Sequence, residues 1–349
     1  MTGSRLLSAV LLLQMALPAA AGAAGAGDRL DRFRTLASTR LMFADVADPE
    51  RAAEAYREAH ALLDEEIVES LASGSVFASP AFLQDRLDGF ADAWGGATLR
   101  LARIGPLTVA TFQLGEAPGA SSVRVYGPAR GEPQLLAALQ REGRPAVHPL
   151  PAAAGGTPQF AVVWEGAPTG RGTRPLRVDL VRQRGDDVEV VWTTAEAGLP
   201  TLVARDYRLR GGEMRLRYEL RYPGWIPGCE QQTEQEDVFR LSPDGAGFVR
   251  VSQRQHNAWH RTLRQAVAAL VAALGSGDRA ALAALVPDPG LRGRLPASLT
   301  VEPACDAPDG PNPGAVSVAA TTAEHEPWTL TFVRHGGGWR LRSASPVLQ

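Results

Sequence analysis

The sequence contains no lysine, so all 36 of its basic residues are arginines. They are balanced by 38 acidic residues, which leaves a formal net charge of −2 at pH 7. A protein that neutralises nucleic-acid phosphates needs a concentrated excess of positive charge on one surface. The charge balance therefore argues against nucleic-acid binding, and we expect no nucleic-acid partner.

The sequence also lacks the short motifs that identify common catalytic and cofactor sites. It has no Gly-x-Ser-x-Gly elbow, no closely spaced cysteine pair for a metal and no calcium-loop spacing. The stretch GAPTGRGTRP at 166–175 has the glycines of a phosphate loop but neither its lysine nor a helical pattern after it. Since no nucleophile is visible, we predict no cofactor and favour a non-enzymatic role.

Long apolar runs are scarce, and the one near the start is too short to span a membrane. Leu6 to Leu17 form an apolar run behind Arg5, followed by Pro18 and small residues with Ala-x-Ala spacing. This order is typical of a secretory signal peptide, which is removed on export. We therefore predict a signal peptide at 1–26 and a soluble, periplasmic or extracellular mature protein without a membrane span.

Cysteine is equally rare, since Cys229 and Cys305 are the only two in the sequence. In an exported protein an even number of cysteines predicts a disulfide. Such a bond would tie the central part of the chain to its C-terminal part. The alternatives are two free thiols or a cysteine that binds a metal.

Apolar periodicity divides the rest of the sequence into consecutive segments of an α+β protein. Segment 27–143 shows three amphipathic helical patterns, then strands, then a short helix predicted over 132–143. Segment 144–158 is rich in Pro, Ala and Gly and predicts a linker. Segment 159–256 predicts an antiparallel meander of hairpins, arranged as a twisted sheet, a partial barrel or propeller-like blades. Segment 257–349 predicts helices followed by strands.

The last segment carries a resemblance to a known family. Two helices joined by GSGDRAALAALV and a closing hairpin, PWTLTFVRHGGGWRLRSASPV, resemble the small α+β cone of the NTF2-like (SnoaL-like) superfamily. In that superfamily a curved sheet wraps a long helix. The resemblance implies an apolar pocket but no particular chemistry, because some members are enzymes and many only bind or stabilise.

His256 and His260 are candidate metal ligands, because a spacing of four at the start of a helix can point two imidazoles at one ion. Nearby carboxylates can supply oxygen ligands: Glu230, Glu234, Glu236 and Asp237. However, Asn257 occupies the position at which a metalloprotease motif requires Glu. The alternative is that the two histidines cap the helix or pack beside Trp259.

A hairpin rich in arginine is the main candidate for ligand binding. On a strand, residues two apart face the same way, so these arginines share one wet face of a sheet: Arg208, Arg210, Arg215, Arg217 and Arg221. Such a face can hold phosphate or carboxylate groups. Acidic neighbours can also neutralise it, and a self-neutralised wet face is the simpler interpretation.

Trp225 and two carboxylates follow that hairpin. Trp225 lies between two Pro-Gly turns, and Glu234 and Glu236 lie two apart at the start of a predicted strand. Paired carboxylates can hydrolyse glycosides at the right separation, or they can form a solvated acidic loop. We therefore predict an exported, non-enzymatic protein that binds an unknown ligand or partner through its central sheet. The alternative is a hydrolase or metal-dependent enzyme that uses His256, His260 and nearby carboxylates.

Overall fold

The structure is a computed structural model. It describes residues 26–347 except for 46–48, 171, 201, 228, 230, 303–309 and 311. Most of the predicted signal peptide, Cys305 and Glu230 therefore lie outside the described residues. None of the described helices is both long and apolar enough to cross a membrane.

The described residues form an α+β fold with helices at the start, a long run of strands, and a helix-plus-sheet unit at the end. The helices are α1 (Ala26–Asp45), α2 (Pro49–Ser73), α3 (Pro80–Trp94), α4 (Ala258–Ser276), α5 (Arg279–Leu285) and α6 (Pro289–Arg292). The strands of the first sheet are β1 (Thr98–Ile104), β2 (Leu107–Gln113), β3 (Ser121–Ala129) and β4 (Glu132–Gln140). The α+β prediction is confirmed.

Eight further strands make the central sheet, and four make the last one. The central strands are β5 (Arg144–Pro149), β6 (Gln159–Glu165), β7 (Arg174–Arg184), β8 (Asp187–Thr193), β9 (Val203–Arg210), β10 (Glu213–Glu219), β11 (Glu234–Leu241) and β12 (Phe248–His256). The last strands are β13 (Thr300–Val301), β14 (Ala315–Thr321), β15 (Pro327–His335) and β16 (Gly338–Pro346). All of the sheets are antiparallel.

The helix ends follow from capping residues. The Ser79 side chain accepts a hydrogen bond from the backbone N–H of Phe82, and Pro80 occupies the first position of α3. Asp278 caps α5 in the same way, by accepting from the N–H groups of Ala280 and Ala281. Helix α4 ends at Ser276, because Gly277 adopts the left-handed conformation that terminates it.

The first sheet is buried on both faces. Helices α1, α2 and α3 cover one face and bury Phe33, Phe90 and Trp94 against it. The other face packs on the central sheet, where Val109 and Val125 join Phe160 of β6 in one cluster. The segments 27–143 and 159–256 therefore share a core instead of folding as units joined by a linker.

The central meander is a single open sheet, with strand order β12-β11-β10-β9-β7-β6-β5 and β8 paired to β7. Strand β7 contacts β9 at its start and β8 further along, so the sheet branches at this strand. The alternation predicted for β10 is present, since Met214, Leu216 and Tyr218 are buried while Arg215 is exposed.

Two predictions within this region are wrong. The helix expected over 132–143 is strand β4, because pairing with β3 and packing of Leu136 and Leu139 outweigh its helical propensity. The expected linker 144–158 begins with β5, which pairs with β6. Proline is tolerated there because β5 is an edge strand of the central sheet.

The C-terminal unit packs α4 on the sheet formed by β13–β16. Its core includes Trp259, Leu270, Phe332 and Trp339. The cavity beside α4 measures about 10 Å³, at the lower limit of the roughly 10–15 Å³ that one water molecule needs. Membership of the NTF2-like superfamily stays an interpretation.

Candidate functional site

The loop after β10 is folded by local hydrogen bonds that fix Trp225. Its backbone N–H donates to the carbonyl of Tyr222 at 2.8 Å, which closes a turn through Pro223 and Gly224. Gly224 has φ +86°, a conformation that glycine adopts without strain at this turn position. The Gln232 side chain then both accepts from the N–H of Ile226 and donates to its carbonyl. The indole is therefore held by a closed loop.

Cys229 lies at the end of this loop and is 1 % exposed. It is not a free thiol, since the described part of the chain contains no free cysteine. Cys305 lies outside the described residues. The Cys229–Cys305 disulfide therefore stays a prediction.

Trp225 lines a cleft of about 500 Å³ beside β10 and β11. We call it the Glu234 cleft. Three residues predicted from the sequence come together here, Trp225, Arg217 and Glu234, and the cleft is completed by others that include Arg205, Gln231 and Asn257. Its walls are mainly polar.

Glu234 fixes two guanidinium groups at this cleft. One carboxylate oxygen accepts from Nε of Arg205 at 2.5 Å and the other accepts from Nε of Arg217 at 2.6 Å. The Glu234 side chain is 10 % exposed, whereas each arginine is 39 % exposed. Arg205 reaches this position because the pairing of β9 with β10 shifts by one residue near Arg217. Since charge-assisted hydrogen bonds are strong, both arginines are held in fixed orientations.

Gln231 and Asn257 bring backbone strain to the same cleft. Both have positive φ angles, 52° for Gln231 and 51° for Asn257, which residues other than glycine rarely adopt. The amide oxygen of Gln231 is buried and has no hydrogen-bond partner among the described residues. Strained backbone and unpaired buried polar atoms concentrate at functional sites, so this cleft is the best candidate.

The described residues do not assemble the predicted metal site. His256 is the last residue of β12 and His260 lies in the first turn of α4, with left-handed Asn257 between the two elements. The spacing of four is therefore not helical. His256 instead lies 3.2 Å from a carboxylate oxygen of Glu236, and the described residues contain no group of three side chains that could hold a metal ion.

Asp237, another candidate oxygen ligand for the metal, also lies elsewhere. Its carboxylate accepts a hydrogen bond from the Tyr218 hydroxyl at 2.9 Å, in the buried layer of β10 and β11. Because neighbouring residues of a strand face opposite ways, Asp237 points away from Glu234 and Glu236. Burial raises the pKa of Tyr218, with the hydrogen bond to Asp237 as the second cause.

His260 is part of a structural network that supports the Trp225 loop. Burial and, to a lesser extent, nearby Arg264 lower its pKa to about 4. The ring is therefore neutral at pH 7, and its Nδ1 forms a hydrogen bond with the Tyr222 hydroxyl at 2.6 Å. That hydroxyl in turn accepts from the backbone N–H of Thr233. The loop, β11 and α4 are thereby tied together.

The remaining predicted residues lie on the wet face but outside the cleft. Arg208 and Arg215 are opposite one another on β9 and β10. Arg215 forms ion pairs with Glu236 at 3.5 Å and with Glu213 at 3.8 Å. The arginine face is therefore a mixed surface in which acidic side chains offset much of the positive charge.

Sequence reasoning missed Arg205, Gln231 and Asn257. Arg205 reaches the cleft through the register shift, which an alternation pattern does not reveal. Nothing in the sequence marks Gln231. Asn257 carries a weak signal, since asparagine is enriched among left-handed residues that precede helices.

Comparison with known proteins identifies no family for this chain. No protein-family model matches it, and no curated protein matches it. The function is therefore argued from the geometry of its residues.

Proposed function

We propose that this chain is an exported binding protein without catalytic activity, and that its Glu234 cleft holds a neutral ligand rich in hydroxyl groups, such as a sugar chain. The observation that carries this proposal is the arrangement of Trp225, the two arginines fixed by Glu234, and the unpaired amide oxygen of Gln231 around one cleft. Export is supported by the apolar run and Ala-x-Ala spacing at the start of the sequence.

A neutral ligand fits because the charges of the cleft balance. Arg205 and Arg217 are matched by Glu219 and Glu234. A multivalent anion bound to the two guanidinium groups would lie beside the Glu234 carboxylate, whose negative charge repels it. A ligand without charge avoids that cost.

A hydroxyl-rich ligand fits because the cleft offers both donors and acceptors in fixed positions. The arginines retain further N–H donors, since a guanidinium has five, while Glu219 and the Gln231 amide oxygen accept. Trp225 adds an aromatic surface with an apolar face. The volume lies within the range of roughly 300–1,000 Å³ for small-molecule sites.

A binding role fits better than hydrolysis because the candidate carboxylates are engaged. Glu234 accepts from two arginines, and Glu236 contacts His256 and Arg215. A general acid or base must instead exchange its proton with the substrate. We therefore assign these carboxylates to fixing the shape of the site.

Isothermal titration calorimetry tests the proposal with maltohexaose and cellohexaose as neutral probes and trigalacturonate as the anionic counterpart. We expect a neutral probe to bind, and Trp225→Ala to weaken it about tenfold. Arg208→Gln is the matched control, because Arg208 lies on the same wet face outside the cleft. Binding of trigalacturonate alone, or turnover of a probe that stops in Glu234→Gln, would contradict the proposal.

A further inference from the structure

A second and larger cleft, of about 900 Å³, lies where the first sheet meets the central sheet. We call it the junction cleft. It is formed by the connection from β2 to β3, the turn between β4 and β5, the start of β7 and the segment before β9. Nothing predicted from the sequence falls here except Arg221.

One part of its wall is apolar and rigid. Trp164, Leu176 and Leu202 line the cleft and are each at most 5 % exposed. The β4–β5 turn lies tight against β6, because a side chain on Gly143 would come within 2.6 Å of the carbonyl oxygen of Glu165. Gly143 also has φ +99°, so the turn requires glycine on both grounds. The cavity is therefore formed before any ligand arrives.

Arginine side chains converge on a buried carboxylate beneath this cleft. Asp179 is fully buried and accepts hydrogen bonds from Nε of Arg177 at 2.8 Å and from Nε1 of Trp164 at 3.2 Å. Nε of Arg141 lies 3.6 Å from the same carboxylate. That nitrogen is buried and has no hydrogen-bond partner among the described residues.

The guanidinium groups of Arg177 and Arg141 keep donors for a ligand. Among the described residues, Arg177 makes one hydrogen bond, to Asp179, and Arg141 makes one, to the carbonyl of Gln140. Each guanidinium has five N–H groups in a planar fork that matches a carboxylate. Arg221 provides a third guanidinium at the same cleft.

The charge around the cleft suits a single negative charge. Glu116 and Glu142 also line it, and Glu116 is paired with Arg144 at 2.7 Å. Including Asp179, four arginines stand against three carboxylates, which leaves one positive charge.

From these observations we propose that the junction cleft binds an apolar molecule that carries one carboxylate. The apolar body lies against Trp164, Leu176 and Leu202, and the carboxylate meets the forks of Arg141 and Arg177. This site is separate from the Glu234 cleft and does not depend on the function proposed for it.

The test is isothermal titration calorimetry of the full chain with decanoate, and with decanol as a probe of equal chain length without charge. Decanoate is expected to bind with one site and at least tenfold more tightly than decanol. Arg141→Gln is expected to reduce that ratio at least fivefold, because it removes a donor to the carboxylate. Arg184→Gln is the control, since Arg184 is an exposed arginine of β7 that does not line the cleft.

A second variant keeps the test decisive if Arg141→Gln lowers folding stability. Arg177→Lys keeps a positive charge beside Asp179 but removes the fork, so it should also lower the preference for decanoate over decanol. A merely structural role would weaken both probes equally. Equal binding of the two probes by the wild type, an unchanged ratio in both variants, or no decanoate binding would each overturn the proposal. Trp225→Ala should leave decanoate binding unchanged, because Trp225 lines the Glu234 cleft and not the junction cleft. Failure of one proposal can therefore be told from failure of the other.

Discussion

The two clefts of the central sheet place their arginines in different charge surroundings. In the Glu234 cleft, one carboxylate engages Arg205 and Arg217 through both of its oxygens. In the junction cleft, Asp179 accepts one hydrogen bond from Nε of Arg177 and none from Arg141, whose Nε lies 3.6 Å away. The number of arginines therefore does not decide which ligand a site prefers. What decides it is the charge around the arginines, which balances in the Glu234 cleft and leaves one positive charge at the junction cleft.

The residues that line the two clefts also differ. The Glu234 cleft is lined mainly by polar side chains, with Trp225 as its aromatic surface. The junction cleft combines its arginines with buried apolar residues. A neutral polar ligand and an apolar anion are thus expected to bind to different places on one sheet. Arg221 stands between them, since it lines the junction cleft and its guanidinium lies 5.1 Å from the ring centre of Trp225.

The largest expected effect is on stability, from removing the buried charge beneath the junction cleft. Asp179→Asn should lower the free energy of unfolding by about 3 kcal/mol, because it removes the charge-assisted hydrogen bonds that this buried carboxylate accepts from Arg177 and Trp164. Urea denaturation measures the change. The control, Asp206→Asn, alters an exposed carboxylate of β9 and should cost less than about 0.5 kcal/mol. Equal effects of the two substitutions would show that Asp179 is not a structural anchor.

Acid should weaken the support of the Glu234 cleft through His260. Its pKa in the folded protein is about 4, below the ordinary value of 6.5, so stability present at neutral pH is lost as the pH falls from 6.5 towards 4. The loss is about 2 to 3 kcal/mol. Urea denaturation at pH 7 and pH 4.5 measures it, with His260→Gln as the comparison.

In that variant the free energy of unfolding should depend less on pH, because glutamine can accept from Tyr222 without titrating. His60 is not affected by the substitution and contributes the same pH dependence to both proteins, since burial lowers its pKa to about 3. Identical pH dependence of the two proteins would contradict the role given to His260.

Glu234→Gln should leave the Glu234 cleft with one excess positive charge, like the junction cleft. Without the carboxylate, Arg205 and Arg217 regain donors, so binding of trigalacturonate should tighten about tenfold, or roughly 1.4 kcal/mol. Calorimetry compares this variant with Glu219→Gln, which removes a carboxylate that accepts from Thr173 and not from the arginines. A tighter complex in Glu219→Gln alone would contradict the assignment of Glu234 as the residue that occupies the arginine donors.

The smallest effect is expected on the wet face between the sites. Arg215→Gln should change the free energy of unfolding by less than about 0.5 kcal/mol, because its ion pairs are long and the side chain is 55 % exposed. Thermal or urea denaturation at low and high salt measures this. A cost above 2 kcal/mol would show that the mixed surface stabilises the sheet more than solvent screening allows.

The sequence predicts the hairpins well because alternation records which face of a strand is buried. Met214, Leu216 and Tyr218 of β10 are an example. Helix starts are marked in a different way, by the capping residues Ser79 and Asp278. Strand β4 was predicted as a helix because its leucines and alanines favour one, and pairing with β3 overrides that local preference. Local sequence patterns therefore predict helices and strands correctly where burial and intrinsic propensity favour the same structure.

The sites were less predictable because they depend on contacts between distant residues. The loop that follows the hairpin predicts Trp225 and Glu234, and the arginine-rich hairpin predicts Arg217, but Arg205 joins them only through a register shift. The junction cleft unites Arg141 of the β4–β5 turn with Asp179 of β7, and the two carry no shared motif. For His256 and His260 the sequence spacing is misleading instead. The spacing of four is typical of one helix, but His256 ends β12 and His260 lies in α4.

The most direct test of the contrast between the clefts is a calorimetric titration of the wild-type protein with each class of probe, in the absence and the presence of the other. The account predicts that whichever of maltohexaose or cellohexaose binds does so alongside decanoate, with neither affinity changing by more than about threefold. Competition between the neutral sugar and decanoate, or selection of trigalacturonate in place of the neutral sugar, would contradict it.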